Sequence, residues 1–161
     1  MTRSGTLELN EVRNLARQLI SAVAHLHRNQ VCHRDLKPDN ILVQSKSSLG
    51  LQLKVIDLNV AVDLQQTSLI HGKTGLEGWS APETRKWVAY DQKCDMWSVG
   101  CLLVYMLTGK QPITDWTTWS ESLVTMNHPD TQLSDLLNKL LESDPEIRIS
   151  STEAAAHPWL H

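Results

Sequence analysis

The chain has 161 residues, 41% apolar and 20% charged, with a formal net charge of -3. That length and balance describe one domain with a core of its own and exclude a disordered chain. The mild acidity gives no electrostatic case for nucleic acid, which calls for a basic surface, and no stretch approaches the ~18 apolar residues of a membrane span.

Met1 to Asn10 carry no apolar signal core, so secretion is not expected. From there apolar residues recur at Val12, Leu15, Ala16, Leu19, Ile20, Val23 and Ala24, the spacing of one helix face. Asn10 is the expected N-cap, and the helix should end near Leu26 to Asn29. Ile41 to Val43 is a short apolar run, and Leu51, Leu53 and Val55 alternate with Gln52 and Lys54. With the turn residues of Ser45 to Gly50 between them, they predict a small β-hairpin. Asp57 to Glu83 has no clear period and reads as a long loop, which in a compact domain signals function or disorder. A helix is predicted over about Lys93 to Leu107, stopped by Gly109. From Met96 onward it is apolar almost all round, so it belongs at the centre of the fold. Leu133, Leu136, Leu137, Leu140 and Leu141 mark another amphipathic helix. Ser150 and Glu153 have capping-box spacing for a last one through Ala156. The expected fold is mainly α, with one small hairpin. Cys32, Cys94 and Cys101 are few and irregularly spaced, as in a cytosolic or nuclear protein with reduced, buried thiols. His25, His27, Cys32 and His33 lie close together but match no standard zinc spacing.

The chemistry concentrates in His33-Arg34-Asp35-Leu36-Lys37-Pro38-Asp39-Asn40, a turn-rich segment between a helix and a strand. Asp35 can accept a proton, and Lys37 places a positive charge two residues away. Asn40 offers an oxygen suited to a hard cation such as Mg²⁺, and Asp57, at the far end of the hairpin, offers a second. The hairpin would return the chain so that both reach one ion. A base, a cation and two hard ligands suit phosphoryl transfer, which is mostly positioning and charge neutralisation.

At this point the sequence resembles the protein kinase family. His33 to Asn40 matches its catalytic loop, Asp57-Leu58-Asn59 stands where Asp-Phe-Gly belongs, and Ala81-Pro82-Glu83 matches the end of its activation segment. Asp95-Met96-Trp97-Ser98-Val99-Gly100 resembles its central helix. Asp144-Pro145-Glu146-Ile147-Arg148 and His157-Pro158-Trp159 resemble its closing segment. The resemblance implies an α+β family fold of which residues 1–161 form the large, C-terminal lobe, with the small lobe absent. It implies a serine/threonine protein kinase that uses ATP and Mg²⁺ on a protein hydroxyl. Asp35 would be the catalytic base and Lys37 would contact the transferred phosphate, both as catalytic residues. Lys37, Asp39, Asn40, Leu42 and Asp57 would bind the nucleotide, with Leu42 under the adenine and with Asn40 and Asp57 on the metal. Arg34 would receive a phosphate placed by an upstream kinase on Ser68 or Thr74. Glu83 and Arg148 would form a buried ion pair, and Asp95 would hold the catalytic-loop backbone.

Four departures qualify that picture. Leu58 replaces the usual Phe, and Asn59 replaces the usual Gly, where Asn tolerates a positive φ better than other residues. Leu76 stands where serine/threonine kinases usually have a Thr bonded to the base. The segment before Val12 holds no Gly-rich loop, strand lysine or partner glutamate to clamp ATP. Between Gly109 and Leu133 the chain is short and non-standard, with Trp116 and Trp119. Two readings follow: the lobe of a kinase that works when a small lobe is present, or a catalytically silent kinase-like binding or scaffold module.

Overall fold

The computed structural model describes residues 7–46, 50–65, 67, 69–86, 88–112 and 129–161. Ser68, Trp116 and Trp119 lie outside the described residues.

Helix α1 spans Leu9–Arg28 and buries the face anticipated from its spacing, Val12 through Ala24. Its start is a correction. Glu8, not Asn10, is the N-cap, and Glu11 reaches back to accept the Glu8 backbone N–H at 3.1 Å. Asn10 already lies inside the helix, where its side chain accepts a hydrogen bond from Arg13. Two short strands follow in sequence: β1 (Val31–Cys32) and, beyond the hairpin, β4 (Val62–Asp63), which pair antiparallel. The hairpin itself is β2 (Ile41–Lys46) with β3 (Gly50–Val55), in register from Ile41↔Val55 to Lys46↔Gly50. Gln18 fastens it to α1. Its amide nitrogen donates to Leu51 O and its oxygen accepts from Leu53 N, both at 3.0 Å. One side chain thus satisfies two backbone groups of a strand edge that has no other strand beside it among the described residues.

Helix α2 (Cys94–Thr108) is the axis of the fold. Every residue from Cys94 to Val104 is buried, as a helix apolar on all sides requires. It stops at Gly109, whose φ of 69° is a left-handed C-cap that donates to Tyr105 O at 2.8 Å. Helix α3 (Thr131–Leu140) packs across α2 at Gly100. A Cβ there would lie 2.8 Å from the Leu141 side chain, so the close approach needs glycine. Asp130 caps α3 through Gln132 N and Leu133 N. Helix α4 (Ser151–Ala155) carries the anticipated Ser150–Glu153 capping box. A last 3₁₀ turn, Pro158–Leu160, buries Trp159 against the first half of α1. Its indole nitrogen donates to Asp130, and Arg13 of α1 lies 5.3 Å above its ring. Helices α1, α2, α3 and α4 therefore enclose one core, and the hairpin sits at its edge. No helix among the described residues is long and apolar enough to cross a membrane.

Candidate active site

The site hangs from Asp95, in the first turn of α2. Its carboxylate accepts three hydrogen bonds: from His33 N (2.8 Å) and His27 Nε2 (2.9 Å) on Oδ2, and from Arg34 N (2.8 Å) on Oδ1. Asp95 is 1% exposed. Burial alone would push its carboxyl up, but the bond and charge of His27, with the two backbone N–H groups, outweigh burial and hold it below the usual range. His27 is itself held on its other side, where Nδ1 lies 3.1 Å from Ser151 Oγ on α4. The loop backbone is therefore fixed from α1, α2 and α4 together. Arg34 takes a φ of 70°, a conformation costly for a non-glycine residue and common where function over-determines the chain.

Beyond Arg34 the chemistry-bearing side chains meet. Lys37 Nζ lies 2.7 Å from Asp35 Oδ2, and the Asn40 amide nitrogen donates to the same oxygen at 3.0 Å and to Asp35 O at 2.8 Å. Both Asn40 bonds use nitrogen, so its carbonyl oxygen takes no part in them. Asp35 and Lys37 keep 18% and 23% of their side chains exposed, open enough for a substrate to reach. The 3₁₀ turn Pro38–Asn40 leads into β2, and the hairpin closes the circuit: Ile56 N donates to Asn40 O at 3.0 Å, and His33 Nε2 lies 3.1 Å from Ile56 O. Asp57 is the next residue. It is exposed, with a φ of 66°, and its Oδ1 accepts from Asn59 N at 3.1 Å. The left-handed backbone thus falls on Asp57 rather than on Asn59. Asp39 is exposed in the 3₁₀ turn, and Leu42 on β2 is 44% exposed.

The long loop meets this site at Gly75. A Cβ there would come 2.7 Å from Ser80 Oγ and 3.1 Å from Arg34 O, which demands glycine at its φ of 82°. Leu76 follows, 51% exposed. Its carbonyl accepts from Trp79 N, Ser80 N and the Ser80 hydroxyl. Thr74 is half-buried beside this turn. Further along, Glu83 and Arg148 pair through two bonds of 2.5 and 2.9 Å. Arg148 also donates to Glu142 O and Lys93 O, and stacks 5.2 Å from the Trp97 ring. Its side chain has no exposed surface. The pair braces the loop end against the closing segment.

Sequence spacing did not reveal two of these features. His27 reads as one more residue on the buried face of α1, and its role appears only when α2 brings Asp95 to it. Cys32 and Cys94, 62 residues apart, place their sulfurs 3.6 Å from each other.

The family model described as "Protein kinase domain" matches residues 1–160. The chain is 32% identical over 168 residues to the SNF1-related protein kinase catalytic subunit alpha KIN12 of Arabidopsis thaliana, covering 100% of this chain and 33% of that protein. It is 32% identical over 176 residues to the serine/threonine-protein kinase cds1 of Schizosaccharomyces pombe, covering 98% and 37%. Against a probable serine/threonine-protein kinase of Dictyostelium discoideum it is 33% identical over 169 residues, covering 99% and 20%. It thus spans between about a fifth and two fifths of these relatives. With the family model matched along nearly its whole length, the chain belongs to the protein kinase domain family.

Proposed function

We propose that residues 1–161 form the large, C-terminal lobe of a serine/threonine protein kinase, and that this lobe transfers the γ-phosphate of ATP to a protein hydroxyl when a small lobe covers it. The observation that carries the reading is the Asp35 carboxylate, met by Lys37 Nζ at 2.7 Å and by the Asn40 amide at 3.0 Å on a loop fixed by Asp95. Asp35 would take up the proton of the attacking hydroxyl. Lys37 would hold the transferred phosphate beside it. Asn40 Oδ1 and the Asp57 carboxylate, two hard oxygen donors of the type Mg²⁺ prefers, would hold the cation. Bound there, Mg²⁺ would neutralise charge on the phosphates. Asp39 and Leu42 would complete the nucleotide contacts. Leu42 on β2 is 44% exposed, an open apolar side chain suited to the face of an adenine. Arg34 fits its regulatory role, because its Nε is buried with no hydrogen-bond partner among the described residues. Thr74 is the described candidate for the phosphate. An intracellular location, cytoplasmic or nuclear, goes with this reading.

A second reading, a kinase-like module that binds without transferring phosphate, is favoured by one observation. Leu76, 51% exposed, stands by sequence position where serine/threonine kinases usually have a Thr that bonds the base. One experiment separates the two. A generic kinase small lobe is joined ahead of Met1, and transfer to a serine- and threonine-containing substrate is followed with and without Mg²⁺. The enzyme reading predicts Mg²⁺-dependent transfer that Asp35→Asn abolishes. Folded, ATP-binding protein with no transfer above the Asp35→Asn control would leave the scaffold reading standing.

A further inference from the structure

Beneath the catalytic loop lie two buried thiols that the kinase chemistry does not use. Cys32 ends β1, immediately before His33. Cys94 opens α2, immediately before Asp95. Their sulfurs are 3.6 Å apart, and the residues are 0% and 4% exposed. Both are free thiols, as is Cys101. The two sulfurs and an Asp95 oxygen lie within 4.8 Å of one another, which would also suit a soft cation. Asp95, however, already spends its two oxygens on His33 N, Arg34 N and His27. What remains is a facing pair of sulfurs, and facing sulfurs can close on each other.

We infer that Cys32 and Cys94 form a reversible dithiol–disulfide pair, closed by a hydroperoxide and opened by a thiol reductant. One sulfur, as thiolate, attacks the peroxide oxygen and becomes a sulfenic acid as alcohol or water leaves. The second thiolate attacks that sulfur and releases water. Two thiols and one hydroperoxide thus give one disulfide, one alcohol (water, from hydrogen peroxide) and one water. The hydrogen bond with Cys94 and then burial disfavour the thiolate of Cys32, so the reaction passes through local opening of β1 and is slow in the closed fold. Closure brings the sulfurs to about 2.05 Å and draws β1 towards the first turn of α2. The residues that must follow are His33 and Asp95, whose 2.8 Å contact fixes the catalytic loop. A shift of about 1 Å at reacting groups can cost ~100-fold in rate. If the proposed kinase reading holds, the oxidised form is therefore the slow one.

The test does not depend on activity. The 161-residue chain is treated with hydrogen peroxide, alkylated without reduction, digested and analysed by mass spectrometry. The expected product is a peptide pair linking Cys32 to Cys94, two hydrogens lighter than the sum of its dithiol parts, with Cys101 alkylated. Dithiothreitol should restore both thiols, and Cys101→Ser should leave the linkage intact. Cys32→Ser and Cys94→Ser should each remove it. Denaturant below the unfolding transition should speed its formation. Oxidation of Cys32 or Cys94 to sulfinic acid without linkage, linkage to Cys101 instead, or no reaction until global unfolding would each overturn the inference, whatever the kinase activity proves to be.

Discussion

The two charged constellations of this chain differ in what they leave open. At Glu83 and Arg148 the guanidinium donates to a carboxylate and to backbone carbonyls, its face covers Trp97, and nothing of its side chain is exposed. At Asp35, Lys37 and Asn40 the groups are equally close, but Asp35 and Lys37 remain partly exposed over a buried Asn40, and Asp57, after the hairpin, is exposed. A buried ion pair is kept only where every donor is satisfied, because breaking it strands a charge. A reacting carboxylate must instead be fixed by a few bonds and still reachable. The first constellation holds the fold. The second is held by the fold, through Asp95 and its three hydrogen bonds.

The sharpest way to break this division is to exchange the effects. In a kinase domain completed by a small lobe, Asp35→Asn should lower phosphoryl transfer by ~10²–10⁴-fold while thermal unfolding stays within a degree or two of the parent. A matching loss of melting temperature would erase the distinction. Arg148→Ala should do the reverse, costing roughly 3–5 kcal/mol of stability by leaving Glu83 unpaired, as read from urea unfolding. A cost no larger than that of a surface mutation would place the pair outside the framework of the fold.

Asp95, which fixes the second region, carries a pH signature. Its folded carboxyl lies below the usual range, so it binds fewer protons folded than unfolded. The stability it contributes is present above the unfolded value of about 3.9 and is lost as pH falls through its lower folded value. Acid titration should therefore show a loss of stability below about pH 4 that Asp95→Asn flattens, at the cost of lower stability at neutral pH. A parallel acid limb in the variant would assign the loss to other carboxylates. Asp130 and Asp135 are also held low: burial of Asp130 is outweighed by Leu133 N and Trp159, and Asp135 bonds Lys139 and His157. The smallest effect belongs to Lys139→Ala, which breaks an exposed i,i+4 pair of 2.7 Å with Asp135. About 0.3–0.5 kcal/mol is expected, and a loss approaching that of Arg148→Ala would contradict the contrast between open and closed pairs.

Much of this could be read from the residues because the signals are local. The Ser150–Glu153 box lies within one turn of the backbone it caps, and α2 announces itself by being apolar on every side. The catalytic-loop motif is contiguous, so Asp35, Lys37 and Asn40 could be named together. Asn10 misled because it has the right side chain for a cap, while the reciprocal pair Glu8–Glu11 begins two residues earlier. Strands β1 and β4 are two residues each, too short for any alternation, and exist because the loop after Asp57 is drawn back along Val31. His27 and Cys94 acquire partners only through the tertiary fold. Pairings of this kind carry no spacing that a chain-order reading can detect.

In the proposed function Asn40 and Asp57 would form the cation end of a nucleotide site, and Glu83 and Arg148 would take no part in it. The most direct measurement uses paramagnetic Mn²⁺ in place of Mg²⁺, titrated with ATP into the isotopically labelled chain and followed by amide NMR signals. Lys37, Asn40 and Asp57 should broaden first, the effect should strengthen with ATP, and Asp57→Asn should remove it while Glu83 and Arg148 stay sharp. Broadening that begins instead at the exposed acidic stretch Glu142 to Glu146, or that ignores both ATP and Asp57→Asn, would contradict it.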